Sequence, residues 1–482
     1  MKYLRASVEN LRRLDRGAAW TLIGNLLNIL PGLLELLLLR RFGLGIWGEF
    51  LAAQAVVLVA GRVACLGLDK GLLWYLPSLG QRSNGLRRPA LGAALQVFLL
   101  GLVISTVLVG PLLQILLPRS TEFGLSRAVV LAIPFFAASE VMIGALQGIQ
   151  RFHYRPLLRD LGVSAFLAPI ALGLAMIFGL GPISLGIGFL AGHILVAGLA
   201  LTFWLKETID RSGGSLVPSR ALARYSLPIW VGESVNSANQ RIAVLILSRV
   251  AASSVVGAFG VISMVWQSAT LMRRAFETPL VTVTAGAPAH EVREIYFKVV
   301  SRVLTWQIPV VIVMAAAGGT ILHLISPSLG TVDHHISLIL LVSASFAVSA
   351  PWMAQQILAG LGHSQRVLYN STLAALVGTG LLWLLVPLFG IIGACLAQAV
   401  AVIASGLLGT WQIRHYANLP GYPTHYLPVV GVTLVGTLVC TWLWILPASG
   451  GSEFLRWPAW VAAAVFLGLW AWIEKPIQSL RS

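Results

Sequence analysis

Apolar runs of membrane-spanning length recur from one end of this chain to the other. The stretch from Arg40 to Pro77 sets the pattern: a Gly-rich turn (Gly43, Gly45, Gly48) leads into a long apolar run interrupted by Arg62. The run closes at Asp69 and Lys70, followed by the aromatic foot Trp74 and Tyr75. About twenty apolar residues make a helix that crosses a hydrocarbon core of roughly 30 Å. Applied throughout, the pattern predicts 14 spans, at 17–39, 46–68, 90–117, 127–149, 161–178, 183–205, 227–248, 255–277, 303–325, 335–359, 369–387, 391–413, 428–447 and 458–473.

Four spans carry polar stripes. Span 1 holds Asn25, Asn28, Gly32 and Glu35 on one face, and span 2 holds Gln54, Arg62, Cys65 and Asp69. Span 7 repeats this with Glu233, Asn236, Ser237, Gln240 and Arg241, and span 8 with Ser263, Gln267, Thr270, Arg274 and Glu277. A cation inside lipid costs roughly 2.5–3.5 kcal/mol on insertion scales, so such faces turn to each other or to water. Spans 1, 2, 7 and 8 are therefore expected to line a hydrated cavity between two lobes. Within it, Glu35 and Arg241 occupy nearly equivalent heights near the outer ends of their spans, and Arg62 and Glu233 lie nearer the inner ends. The two opposite-charge layers read as gates or as static ion pairs.

The stripes coincide with an internal repeat. ELLLLRRFGLGIWGEF at 35–50 resembles AVLILSRVAASSVVGAF at 243–259, pairing Arg41 with Arg249, Gly48 with Gly257 and Phe50 with Phe259. Gly24 and Asn28 fall on Gly232 and Asn236 at the same offset. A period this long describes a duplicated bundle and not a solenoid. With six spans per copy, the two copies share one orientation, related by an axis along the membrane normal. This divides the chain into a cytoplasmic amphipathic N-terminus (1–16), an N-lobe (17–206), a cytoplasmic linker (207–226), a C-lobe (227–414) and a tail with spans 13 and 14 (415–482). EVREIYFKVVSR, between spans 8 and 9, separates apolar from charged positions and reads as a surface-lying helix.

Composition agrees with this class: 57% of residues are hydrophobic and only 10% charged, where soluble domains are about a quarter charged. The net charge of +16 would suit a nucleic-acid partner, but its placement argues against one. With Arg127, Arg273 and Arg274, near the ends of their spans, counted in the adjoining segments, 25 of the 33 Lys and Arg fall on one side, 6 on the other and 2 (Arg62 and Arg241) in span interiors. That asymmetry places the basic side and both termini in the cytoplasm. The N-terminus reads as a retained first span and not a cleaved leader.

Other signals resolve to structural readings. GLGIWG at 43–48 matches a dinucleotide fingerprint but follows a helix, so the glycines read as a tight helical hairpin. Gly186, Gly188 and Gly192 read as helix packing, and His193 as a satisfied interior histidine. His334 and His335 lack a second ligand cluster, so no metal and no cofactor is expected. Glu140, with Gln147 on its face, reads either as a hydrogen-bonding partner or as a proton- or cation-coupling group. The lack of any paired-carboxylate or nucleophile–base arrangement, and of a large outer loop, argues against an enzyme such as a membrane polymerase or ligase.

FGLGIWGEF at 42–50, GLDKGLLWYLP at 67–77 and PLVTVTAGAPAHEVREIYFKVVSR from Pro279, with the twelve-plus-two span plan, resemble the Wzx-type oligosaccharide flippases. These form the polysaccharide transporter branch of the multidrug/oligosaccharidyl-lipid/polysaccharide (MOP) superfamily. The resemblance implies an all-α V of two six-helix lobes that carries a polyprenyl-diphosphate-linked glycan across a bacterial inner membrane for surface polysaccharide synthesis. It implies membrane lipids, and a polysaccharide polymerase or other assembly proteins, as partners. Arg62 and Arg241, with Asn28, Asn236, Gln240 and Gln267, would bind the substrate in the cavity. Asp69, Lys70, Arg273 and Arg274 would sit at the cytoplasmic mouth, and spans 13 and 14 would hold the lipid tail. The alternative within the same fold is a cation-coupled multidrug exporter.

Overall fold

The structure, a computed structural model, describes residues 19, 29–78, 87–117, 122–149, 151, 154–208, 220–284, 289–361, 363–419, 426–446 and 457–479. Among these residues the chain is all-helical and has no strand. Eight described helices are long and apolar enough to cross a membrane, or ten when two bent pairs each count as one span.

The chain divides into two compact units, Ile23–Gly257 and Ala258–Ser482. The first begins with α1 (Ile29–Ala64), broken at Gly43, where φ is +81°, a conformation open to glycine. The tight turn read from the sequence is this break. A second break at 65–67 leads into α2 (Leu68–Ser78). Next come α3 (Arg87–Val107), α4 (Phe123–Val130), α5 (Ile133–Gly148), α6 (Gly162–Ile177), α7 (Ile183–Glu207) and α8 (Arg220–Val250). Gly186, Gly188 and Gly192 let α7 approach α4 and α6 closely: added Cβ atoms would meet the carbonyl oxygens of Leu125 at 2.7 Å, Leu167 at 2.9 Å and Val163 at 3.3 Å.

The second unit takes in α9 (Ser253–Ala269), bent by 65° into α10 (Leu271–Thr284), and α11 (Ala289–Ile325). A second bent pair, α12 (Val332–Ala347) and α13 (Ser349–Gly360), is followed by α14 (Ser364–Tyr416), which turns back at Gly390. The last helices are α15 (Leu427–Ile445) and α16 (Trp457–Ser479), both packed on α11. One expectation is corrected here. The segment 291–302 is not a separate surface-lying helix but the first three turns of α11. Its apolar side (Val292, Ile295, Tyr296, Val299, Val300) is buried, while Glu294, Lys298 and Arg302 are exposed. The face that would have sought headgroups finds protein instead. Trp442 and Trp460 are exposed as interface anchors should be, but Trp444 is buried, stacked on His335 at 4.1 Å.

Candidate functional site

A cavity of about 270 Å³ lies inside the first unit. Helical periodicity supplies its wall, because residues three and four apart share a face. The second half of α1 contributes Gln54, Leu58 and Arg62, and the first half contributes Glu35. From α5 come Phe136, Ser139, Glu140 and Ile143, and from α7 come Phe189, His193 and Val196. Arg159, Val163, Ser164 and Leu167 enter from the turn before α6 and from α6 itself, and α8 adds Ser237 and Arg241.

Arg62 is the hub of the charge network. Its Nη1 donates to Asp69 Oδ2 at 3.0 Å and its Nη2 to Glu140 Oε2 at 2.6 Å. The other Glu140 oxygen lies 3.5 Å from Arg159 Nε. The Phe136 ring sits under the guanidinium, 5.6 Å from Cζ. The break at 65–67 makes the first pair possible, since it turns α2 back so that Asp69 faces the arginine seven residues before it. Three of these four side chains are about nine-tenths buried. Charges so placed persist only when paired, because the interior disfavours an isolated ion by several kcal/mol. Beside them, His193 packs edge-on against Phe189 and Phe136, at 4.5 and 5.7 Å between ring centroids. Its Nδ1 is buried without a hydrogen-bond partner among the described residues, so the histidine expected to be satisfied leaves this nitrogen unbonded.

Helix α8 runs antiparallel along α1 and α2 and closes one wall of the site. Trp230 Nε1 donates to the Val63 carbonyl at 2.9 Å, and Ser237 Oγ to the Leu58 carbonyl at 3.2 Å. Beyond one end of this seam, Gly48 and Gly257 touch: an added Cβ on Gly48 would lie 2.8 Å from the Gly257 nitrogen and collide with the Ser253 carbonyl. The two glycines paired by the sequence repeat thus meet in space. Beyond the other end, a Cβ on Gly67 would lie 3.0 Å from the Trp230 nitrogen, and one on Gly71 would collide with Ser226 Oγ.

The predicted site residues divide into three groups. Arg62, Arg241, Glu35 and Glu140 line the one cavity, with Asp69 bonded to Arg62 and Lys70 next to it in sequence. Asn28 lies outside the described residues, as do the side chains of Glu233, Asn236 and Gln240 on α8. Gln267, Arg273 and Arg274 of span 8 do not line this cavity, whose wall comes from spans 1, 2, 4, 5, 6 and 7. They form their own cluster in the second unit. Arg274 Nη1 donates to Gln267 Oε1 at 3.2 Å. Arg273 is buried, lies over the Trp352 ring at 4.5 Å and reaches Glu277 at 3.8 Å, while Trp352 Nε1 donates to the same Glu277 oxygen at 2.7 Å. Arg273 therefore lies buried within the bent span.

Arg62 bonds Asp69 and Glu140, and its expected partner Glu233 has its side chain outside the described residues. Glu140 takes two arginines, where the sequence suggested Gln147. Arg249, the repeat counterpart of Arg41, donates to the Ile115 carbonyl at 2.6 Å. Arg159 is the residue that sequence reasoning missed. It falls in a segment read as a basic loop, yet Arg159, Val163 and Leu167 keep an i, i+4, i+8 spacing across the assumed boundary. Its turn, Pro156–Asp160, is a wide one closed by Leu161 N–H to the Pro156 carbonyl at 2.9 Å.

No protein-family model matches the sequence, and no curated protein matches it. Solved structures do match. The lipid II flippase MurJ, in an inward closed conformation, aligns with a TM-score of 0.71 at 12% identity, covering 98% of this chain and 99% of its own. A MOP-superfamily transporter from Pyrococcus furiosus, whose reversed binding-pocket polarity suggests a different function, aligns at 0.63 and 15% identity over 85% of this chain and 96% of its own. An inward-facing multidrug-resistance MATE transporter of the same superfamily aligns at 0.62 and 16% over 78% and 93%. At these identities the likeness is one of fold, and the chain has the polytopic all-helical fold of MOP-superfamily transporters.

Proposed function

We propose that the protein is a transporter that flips a polyprenyl-diphosphate-linked oligosaccharide across a bacterial inner membrane by alternating access, for surface polysaccharide synthesis. The observation that carries this reading is the placement of Arg62 and Arg241, from separate polar stripes, on one cavity. A guanidinium stays charged and offers a planar fork of donors that matches phosphate oxygens. Asp69 and Glu140 occupy that fork. An incoming diphosphate would exchange with them, and they would reclaim the arginine on release. The cavity, at about 270 Å³, lies below the roughly 300–1,000 Å³ of sites for drug-sized ligands. It suits a diphosphate, and the glycan would remain outside it. Fold coverage adds support: the lipid II flippase aligns over 98% of the chain, too much to leave out α15 and α16, which in this reading contact the lipid tail.

The proposed topology has both termini cytoplasmic, lobes at 17–206 and 227–414, and Lys70, Arg274 and Gln267 serving the inner half of the path. One observation favours a second reading, a cation-coupled multidrug exporter: Glu35 and Glu140 line the same cavity and suit a cation.

The test is surface polysaccharide recovered in a flippase-null strain, with membrane protein level measured in parallel. Arg62→Lys keeps the charge but loses the fork and should retain partial display, while Arg62→Ala and Arg241→Ala should abolish it. Since Arg62→Ala leaves two carboxylates facing each other, Arg62→Gln combined with Glu140→Gln provides a charge-balanced version. Full display by both the Arg62 and the Arg241 variants at normal protein level would overturn the diphosphate role. Altered drug susceptibility without any change in polysaccharide would favour the exporter.

A further inference from the structure

The two ends of α14 meet at one membrane face, because the helix turns back at Gly390, midway along it. They are fastened by a buried hydrogen bond from Asn370 Nδ2 to Gln412 Oε1 at 3.0 Å. Above this bond sits a cluster of cations and aromatic rings. Arg366 lies over the Tyr416 ring at 4.4 Å and near that of Tyr369 at 5.7 Å. His415 stacks flat on Trp411, with centroids 5.5 Å apart and planes 5° from parallel, and meets Tyr416 edge-on at 4.8 Å. Arg414 and His363 are exposed beside them.

Among the described residues the cluster has no carboxylate. No Asp or Glu occurs between Asp333 and Glu453 in the sequence. Among the described residues, the helices packed most extensively against α14 are α12 and α13. Their one acidic residue, Asp333, starts α12 at the opposite end of the bent pair from the cluster. The π faces of Tyr416 and Tyr369 stabilise the Arg366 guanidinium, but they leave its edge donors available to an anion from outside the chain.

The surroundings specify what kind of anion. Trp411 and Tyr369 are each more than half exposed, and the next apolar positions inward on the same faces, Leu407 and Leu376, are exposed at 67% and 69%. Trp and Tyr at such a boundary mark the headgroup level of a bilayer. A ligand reaching Arg366 there carries a phosphate at the boundary and apolar chains below it. We propose that the paired ends of α14 form a binding site for the phosphate headgroup of an anionic phospholipid of the surrounding bilayer, with Arg366 as its forked donor and Trp411 and Tyr369 as its rim. On the charge-based topology this is the cytoplasmic leaflet. The site is independent of the transport substrate and of the Arg62 cavity.

The experiment is native mass spectrometry of the full-length protein in detergent, titrated with phosphatidylglycerol or with phosphatidylcholine of the same acyl chains. Phosphatidylglycerol should bind more tightly. Arg366→Gln should weaken it about fivefold, the factor that one cation near a membrane surface contributes, and Arg127→Gln, an exposed arginine elsewhere, should leave it unchanged. Equal binding of the two lipids, or wild-type affinity in a folded Arg366→Gln variant, would overturn the proposal. Displacement of the lipid by a phosphoserine peptide would also overturn it, in favour of a soluble partner. Should Arg366→Gln fail to fold, photoactivatable phosphatidylglycerol decides on the wild-type protein. Labelling within 363–369 or 411–416 supports the site, and labelling elsewhere alone refutes it.

Discussion

The two units each bury an arginine within a polytopic helical frame, but they compensate it differently. In the first, Arg62 is held by two carboxylates, Asp69 and Glu140, at the edge of a cavity. In the second, Arg273 lies on the face of Trp352, and its nearest carboxylate, Glu277, is 3.8 Å away and tied to the same tryptophan. Two Arg273 nitrogens, Nε and Nη1, are buried without a hydrogen bond among the described residues. An ion pair can be exchanged for another anion of similar geometry, since carboxylate and phosphate accept from the same fork. A π face cannot be exchanged, because it is part of the wall. The first arrangement suits a site that opens and closes on a ligand. The second suits a fixed brace at the bend between α9 and α10.

This contrast can be broken by substitution. The largest expected effect is for Arg62→Ala, which takes their shared cation from two buried carboxylates and should destabilise the protein by about 3–5 kcal/mol. Arg273→Ala leaves Glu277 bonded to Trp352 and partly exposed, and should cost only about 1–2 kcal/mol. Thermal unfolding in detergent measures both, and a larger loss for Arg273→Ala would reverse the assignment of pair and brace.

Glu140→Gln comes next. It weakens two contacts at once, to Arg62 and to Arg159, and should cost about 2–3 kcal/mol. It also removes one competitor for the Arg62 fork. On the flippase reading, affinity for a soluble prenyl diphosphate, measured by calorimetry, should rise about tenfold. Unchanged or weaker binding would mean that the Arg62 fork is not the group that exchanges.

The smallest effect is for Trp352→Phe, which keeps a ring under Arg273 and removes only the donor to Glu277. A loss of about 1–2 kcal/mol is expected, with transport activity intact. Loss of activity at unchanged stability would move Arg273 from brace to substrate path.

The sequence by itself determined the class of this protein. Hydrophobic run lengths fixed an all-helical membrane chain, since backbone groups in lipid must be satisfied within the segment. Stripe periodicity fixed which face of each span is polar, and so put Glu35, Arg62 and Arg241 on inward faces before any fold was known. The repeat marked Gly48 and Gly257, which pack against one another. What it did not determine is which polar face meets which. A helical wheel gives direction but not neighbour, and the neighbour depends on how each helix is rotated and where it is broken. Arg62 finds Glu140, 78 residues away, because α5 packs against α1 and the break at 65–67 turns α2 back. Arg159 enters the site because a wide turn carries the polar face of α6 past the boundary that charge alone suggested. Residues 291–302 continue into α11 because their apolar side meets buried protein, a partner that an amphipathic pattern cannot distinguish from a membrane surface. In each case the pattern specified a surface, and only tertiary packing chose what covers it.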